Sequence, residues 1–181
     1  IVIDAGSTDG TVELLRSYEA TYGLRWRSEP DQGMYDAVNK GLAMARGDVL
    51  AYLNSDDRYF PWTVELVVAA LARFPEAALA YGDVIRVDDR YGLVTPVFQP
   101  HCNFSLLVEF GSLLQPTVFF RRSVYEQLGP FDDSLRYVAD LDYWLRASDR
   151  FAFARVADFL ALERFHDGTL SQQSRVEMAA E

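Results

Sequence analysis

Cysteine is all but missing. Cys102 stands alone in 181 residues, which rules out an internal disulfide and fits a reducing compartment, the cytoplasm by expectation. Positive charge is in deficit: 17 Lys and Arg against 27 Asp and Glu give a formal net charge of −10. That balance argues against nucleic acid or an anionic membrane surface as the main partner, and it suits a site that gathers carboxylates around a metal. Long apolar runs are lacking too. The longest, residues 66–72, is bounded by Glu65 and Arg73 and is far too short to span a bilayer. There is no signal-peptide pattern, no internal repeat, no low-complexity tract and no linker. What is present is a core: half the residues are hydrophobic and 14% aromatic, so one ordered domain over 1–181 is expected.

Strand and helix patterns alternate through the first half, the signature of βαβ units and a parallel sheet. Ile1-Val2-Ile3 reads as a strand, and the turn Gly6-Ser7-Thr8-Asp9-Gly10 leads into a helix whose Val12, Leu15, Tyr18 and Tyr22 share one face and which Gly23 ends. Residues 24–28 alternate like a short strand. Residues 34–46 form a second helix with Val38, Leu42 and Ala45 inward, and Gly47 stops it. Then comes Val49-Leu50-Ala51-Tyr52-Leu53, a continuous apolar run expected to be a strand buried on both faces. Pro61 introduces a helix over 63–74, stopped by Pro75. In the second half, 78–87 and 93–97 read as a hairpin around Asp88-Asp89-Arg90-Tyr91-Gly92, 117–120 and 151–156 as strands, and 123–128 and 138–147 as helices. Residues 98–115 carry little readable pattern.

Three places could carry chemistry. The apolar run stops at Asn54-Ser55-Asp56-Asp57, and open α/β sheets bind ligands beyond the carboxyl ends of their strands. Adjacent carboxylates there repel unless a hard divalent cation offsets them, although a polar turn capping the next helix would use the same residue types. The segment Asp4-Ala5-Gly6-Ser7-Thr8-Asp9-Gly10-Thr11 places a carboxylate and a small-residue turn before a helix N-terminus, which suits an anion or a base edge. It has neither dinucleotide-fingerprint nor P-loop spacing, and Leu15 at its twelfth position rules out a calcium loop. In Asp31-Gln32-Gly33-Met34-Tyr35-Asp36-Ala37-Val38-Asn39-Lys40-Gly41, glycines bracket a helix, for close packing or for a ligand.

Taken in order, these motifs resemble the family 2 glycosyltransferases, which have the GT-A fold, and most of all their bacterial branch that builds O-antigen and other surface polysaccharides. The match is densest over Ser28-Glu29-Pro30 through Gly41. It continues in Gln115-Pro116-Thr117-Val118-Phe119-Phe120-Arg121-Arg122 and in Tyr137-Val138-Ala139-Asp140-Leu141-Asp142-Tyr143-Trp144. The resemblance implies an α/β architecture: a Rossmann-like, mostly parallel central sheet flanked by helices, with residues 1–75 binding the nucleotide sugar and 76–181 the acceptor. It implies that Asp4, Gly6, Ser7, Asp31, Gly33, Asn39 and Asn54 contact the donor nucleotide. By the same resemblance Asp56 would be the main ligand of a divalent cation (Mn2+ or Mg2+), with Asp57 and the late His166 in support, and Asp140 the general base. Tyr35, Trp62 and Trp144 read as packing residues, and His101 has no context that would assign it a role.

The sequence departs from the family pattern at Ala5, Val38, Asn54 and Ala139, where Asp, Arg, Asp and Glu are frequent. Asn54 can bond a ribose but adds no charge to a metal site. The expected reaction is inverting transfer from a nucleoside diphosphate sugar, a uridine one by expectation, to a saccharide or lipid-linked glycan. A cation stabilises the leaving diphosphate and a carboxylate removes the acceptor's proton. Two other readings stay open: a module that binds a nucleotide sugar without transferring it, and an aspartyl-phosphate phosphatase using Asp4, which would want a second Asp where Gly6 stands. The chain starts inside a strand at Ile1 without Met, and residues 176–181 look like a helix cut mid-course. A fragment is therefore expected, lacking the family's first strand and helix and poorly stable or inactive alone, while the whole protein could carry an anchor or associate peripherally with a membrane.

Overall fold

The structure, a computed structural model, describes residues 1–89, 92–102, 104–110, 113–166 and 169. The helix expected over 176–181 lies outside the described residues. Strands β1 (Val2–Asp4) and β2 (Trp26–Ser28) pair in parallel, with Asp4 opposite Ser28. Helix α1 (Thr11–Tyr22) connects them, since parallel neighbours need a crossover. Gly10 and Gly23 close its two ends in the left-handed conformation that glycine adopts at little steric cost. Helix α2 (Met34–Met44) packs back on β1.

A second sheet holds β3 (Val49–Leu50), β4 (Arg58–Tyr59), β5 (Ala77–Asp88), β6 (Leu93–Val97), β7 (Phe119–Arg121) and β8 (Ala152–Phe165). Its order is β3-β7-β5-β8-β4, with β6 hydrogen-bonded to β5 as the expected hairpin. Helix α3 (Thr63–Arg73) precedes β5; α4 (Phe104–Phe110), α5 (Arg122–Leu128) and α6 (Ala139–Ser148) complete the second half. A 3-10 turn over Gln115–Thr117 takes the place of the first half of the strand expected at 117–120.

The α/β class holds, but the expected parallel character is confined to two pairs, β1/β2 and β5/β8. The pairs β3/β7, β4/β8, β5/β6 and β5/β7 are antiparallel. In the second half β5 and β6 form a hairpin, while α4 leads back to β7 and α5 and α6 lead on to β8, which alone there runs parallel to β5. The run at 49–53 also differs from expectation. Only Val49 and Leu50 join the ladder, because β3 pairs on one side with β7 and its other edge borders a cleft. The alternation survives beyond the ladder, since Ala51 and Tyr52 still pack into cores on opposite faces. On α1 only Leu15 is buried, and Tyr18 and Tyr22 are exposed. Strand β8 runs on past Val156 to Phe165 through register shifts opposite β5 at Tyr81/Asp83 and Asp83/Val84. At that irregularity an added Cβ on Gly82 would sit 2.7 Å from Leu160 and 2.9 Å from the Asp158 carbonyl, so only glycine fits.

The sheet separates two cores. Phe119 of β7 packs with Val67, Leu71 and Leu160 under α3. Its neighbour Phe120 points the other way, into a layer built by α2, α4, α5 and α6. Phe131 sits at the centre of that layer. It stacks on Tyr143 with ring centroids 4.2 Å apart, lies against Tyr35 at 5.9 Å, and meets Tyr52 edge-on at 5.5 Å and Trp144 at 5.9 Å. Phe131→Ala is expected to cost about 3–5 kcal/mol, because the cavity left among rings cannot collapse. Urea unfolding should show a lower midpoint at an unchanged slope. A loss below about 1 kcal/mol would mean that this layer is not what joins the helices to the sheet.

Candidate active site

A cleft of about 1190 Å3 runs beside β1 and opens beyond the carboxyl end of β3, where an open α/β sheet receives ligands. Its lining runs from residues 1–3 and α2 along residues 49–57. It reaches Tyr137 and Asp140 at the start of α6 and Arg164 near the end of β8. Asn54, Asp56, Asp57 and Asp140, far apart in the chain, all border it. A neighbouring cavity of about 390 Å3, lined by Gly33, Tyr35, Ser134 and Arg136 among others, shares Tyr35 and Arg136 with it.

Asp56 lies 3.1 Å through Oδ2 from Nε2 of His166, the late histidine singled out in the sequence. The His166 backbone is held by Thr169, whose Oγ1 accepts from the His166 N–H at 3.1 Å while its own N–H donates to the His166 carbonyl at 3.0 Å. Asp57 turns towards β8, where its Oδ1 accepts the Arg164 N–H at 3.0 Å. Burial, with the negative charges of Asp56 and Glu163 adding to it, pushes its carboxyl up to about 6. Among the described residues no three His, Cys, Asp or Glu side chains converge as a metal cage. Asp56 and His166 do come together. A carboxylate and an imidazole are a suitable partial set for a divalent cation that takes its remaining oxygens from a diphosphate and water.

Asp140 occupies the first turn of α6, half-buried at the edge of the cleft, and desolvation raises its carboxyl above the usual range. Its Oδ1 accepts from the Leu141 N–H at 2.9 Å and from the Tyr35 hydroxyl at 3.0 Å. Asn54 stands at the cleft with Nδ2 3.5 Å from Oε1 of Gln115, and Gln115 Nε2 donates to the Tyr52 carbonyl at 2.7 Å.

The other donor residues are built differently. Asp4, buried at the end of β1, accepts the N–H groups of Gly6 and Ser7 at 3.0 Å each and the hydroxyl of Ser28 at 2.6 Å through Oδ2; Oδ1 takes the Ser7 hydroxyl at 2.5 Å. These bonds, that of Ser28 foremost, hold its carboxyl down at about 2. So bonded, Asp4 is a poor nucleophile, which counts against the phosphatase reading. It is instead the clamp that shapes the Gly6-Ser7 turn. Asp31 shapes the entry to α2, its Oδ1 accepting the Gly33 N–H at 3.1 Å. Asn39 also bonds within the chain: its amide donates to the Phe131 carbonyl and accepts the Phe131 N–H, both at 2.9 Å.

The sequence matches Glycosyl transferase family 2 over residues 1–129. The chain belongs to that family. Among its relatives, the PGL/p-HBAD biosynthesis glycosyltransferase of Mycobacterium tuberculosis (strain ATCC 25177 / H37Ra) is 30% identical over 151 residues, 81% of this chain and 56% of the relative. An uncharacterized glycosyltransferase of the same species (strain ATCC 25618 / H37Rv) is 34% identical over 152 residues, 82% of this chain and 56% of that one. The chain thus spans about half the length of these relatives. Similar folds are found in S. aureus TarS 1–349 in complex with UDP-GlcNAc (TM-score 0.74, 16% identity, 93% of this chain and 50% of that one). They are found also in the mannosyltransferase from Pyrobaculum calidifontis in complex with GDP-Man and Mn2+ (TM-score 0.69, 18% identity, 96% and 50%). The fold of this family 2 glycosyltransferase is GT-A. No helix among the described residues is long and apolar enough to cross a membrane.

Beyond the expected residues, Arg136, Tyr137 and Arg164 border the cleft and Tyr35 touches the candidate base. Only the spacing of the Asp31–Gly41 motif hinted at Tyr35; the two arginines carry no local signal. Because the Asp4 carboxyl is lowered in the folded chain, its contribution to stability is complete above about pH 4, the unfolded value, and is lost as pH falls towards about 2. Urea unfolding followed from pH 5 to 2 should therefore fall more steeply for the native sequence than for Asp4→Asn. Parallel declines would remove Asp4 from its clamping role.

Proposed function

We propose that this glycosyltransferase transfers a sugar with inversion from a nucleoside diphosphate sugar, a uridine one, to a saccharide or lipid-linked glycan in bacterial cell-surface polysaccharide synthesis. It works at the cytoplasmic side of the membrane. Residues 1–75 hold the donor and residues 76–181 the acceptor. The observation that carries the reading is the shared cleft: Asp56, with His166 beside it, and Asp140 border one cavity although 84 positions separate the two acids (140 − 56). The nucleotide sugars held by the TarS and Pyrobaculum structures support a donor of this class, UDP-GlcNAc in one and GDP-Man in the other.

In this reading Asp56 and His166 would hold a Mn2+ or Mg2+ against the diphosphate, with Asp57 adding negative charge. The cation, when bound, stabilises the charge that builds on the leaving diphosphate. The Gly6-Ser7 turn and the entry to α2 at Asp31 and Gly33 form the nucleotide end, and Asn54 offers its amide to the ribose. Asp140 accepts the acceptor hydroxyl's proton as that oxygen attacks the anomeric carbon from the face opposite the diphosphate, so one displacement inverts the centre. A hydroxyl is a weak nucleophile at neutral pH. The base must therefore be ionised yet basic enough to accept a proton, and burial of Asp140 supplies that basicity.

Two substitutions in the intact enzyme test the assignment. Asp140→Asn keeps the shape of the side chain, so donor affinity by calorimetry should stay within about twofold while turnover falls by at least about 100-fold. Surviving turnover would show that another group takes the proton. Asp56→Ala should abolish the gain in UDP-sugar affinity that Mn2+ gives the native enzyme. If that gain persists undiminished, the cation is held elsewhere. A panel of UDP- and GDP-sugars, with and without Mn2+, decides the nucleotide.

A further inference from the structure

From the hydrogen bonds around Asp140 we infer that Tyr35 is the positioning residue of the base: it ties up Oδ1 and leaves Oδ2 to face the acceptor hydroxyl. The inference rests on Asp140 acting as the base and assigns a partner that neither the family match nor the motif reading supplies.

Tyr35 follows Gly33 and Met34 at the start of α2, and Gly33 takes a φ of 139° that L side chains rarely adopt. This sharp entry seats the phenol in the core with 3% of its surface exposed. Its ring packs on Phe131, 5.9 Å between centroids, and its hydroxyl reaches across 105 positions of sequence to Oδ1 of Asp140 at 3.0 Å. The Leu141 N–H donates to the same oxygen at 2.9 Å. Both hydrogen bonds described for this carboxylate thus fall on one atom, and a carboxylate oxygen that already accepts two donors is the poorer proton acceptor. The rotamer is fixed as well, since both donors sit on rigid elements, the first turns of α2 and α6.

Tyr52 stands behind this pair. Burial above all, with the negative charge of Asp140 adding to it, holds its hydroxyl well above the usual phenol range. Tyr35 itself is held far above the usual phenol range, so it stays a donor throughout the working pH range. Charged groups on the neighbouring elements are directed elsewhere. Glu109 of α4 and Glu126 of α5 are exposed, Arg122 of α5 donates to the Gly47 carbonyl, and Arg146 of α6 pairs with Asp142. Tyr137 and Arg136, which precede α6, border the cleft. Burial raises the Asp140 carboxyl and the Tyr35 bond opposes that rise.

Tyr35→Phe keeps the ring on Phe131 and removes one donor to the carboxylate. The ionised base loses a stabilising bond, so its pKa rises and the acid limb of the pH–kcat profile should move upward by about one unit, the scale of one hydrogen bond to a charged group. At a pH on that limb kcat should fall about tenfold while the Kd of the donor stays unchanged. A merely structural role would lower the amount of active enzyme without moving the limb. The limb is independent of the folded fraction, so partial unfolding does not blur the result. Replacing Tyr35 with 3-fluorotyrosine keeps the hydroxyl and makes it a stronger donor, which should move the limb the opposite way. A limb unmoved in both variants, with Asp140→Asn inactive, overturns the role of Tyr35 alone. An active Asp140→Asn overturns the base and this inference with it.

Discussion

One ring joins the parts of this enzyme that must not move relative to each other. Phe131 has 2% of its surface exposed and touches aromatic side chains from α2, the end of β3, β7 and α6. Its backbone is held at both polar atoms by Asn39 of α2. The residue thus carries apolar contact on its side chain and directional bonding on its main chain. The first locates the helices through area and shape, and the second fixes their register. If α2 slid by one residue on this layer, Asn39 would lose both bonds and the Tyr35 hydroxyl would leave Asp140. Placement of the base is therefore a consequence of core packing.

A polar counterpart fixes the other side of the cleft. Asp83 of β5 pairs with Arg155 of β8 through both carboxylate oxygens, at 2.8 and 3.0 Å, and accepts the Gln99 N–H at 2.8 Å. Gln99, itself buried, bonds the Gly82 carbonyl and the Thr117 hydroxyl and accepts the Leu114 N–H. Buried polar groups are costly unless every lone pair and proton is used, and here one cluster satisfies three segments together. Its outcome is the position of Gln115, which holds the Tyr52 carbonyl just before Asn54 and Asp56. The acidic turn is braced from the second half of the chain, and no pattern within residues 49–57 could have indicated it.

That difference explains what could be read from the residues and what could not. Helices α1, α2, α3, α5 and α6 and the β5/β6 hairpin follow from local spacing, caps and turn residues, and each lies close to its expected place. Strand β4, two residues long, exists only because Arg58 and Tyr59 meet Leu162 and Ala161. Helix α4 is seven residues long with apolar side chains on all sides, so 3.6-residue periodicity had nothing to register. Strand β8 outran its reading because register shifts let the ladder continue where the alternation lapses. At the site, motif order singled out Asp56 and Asp140, and the fold brings both to one cleft. The bonds of Asn39 to the Phe131 backbone carried no such signal, since an amide serves a backbone as well as a ligand and the residue type does not say which. Tyr35 was assigned to packing, which is true of its ring and incomplete for its hydroxyl.

Two carboxylates show how environment divides labour between identical groups. Asp4, buried, and Asp140, half-buried, both accept hydrogen bonds, yet they are driven in opposite directions. Asp4 collects four donors, two backbone N–H groups and two serine hydroxyls, and hydrogen bonding to the charged form outweighs its desolvation. Such a group stays ionised at neutral pH, with little basicity left, and is suited to hold a turn. Asp140 has two donors on a single oxygen, and there desolvation outweighs them. A carboxylate with a raised pKa and an unbonded oxygen is what proton removal from an alcohol requires. Further donors at Asp140 would fix it more firmly but lower the basicity that the proposed reaction needs. The Tyr35 bond is therefore placed on one oxygen, where it orients the group without saturating it.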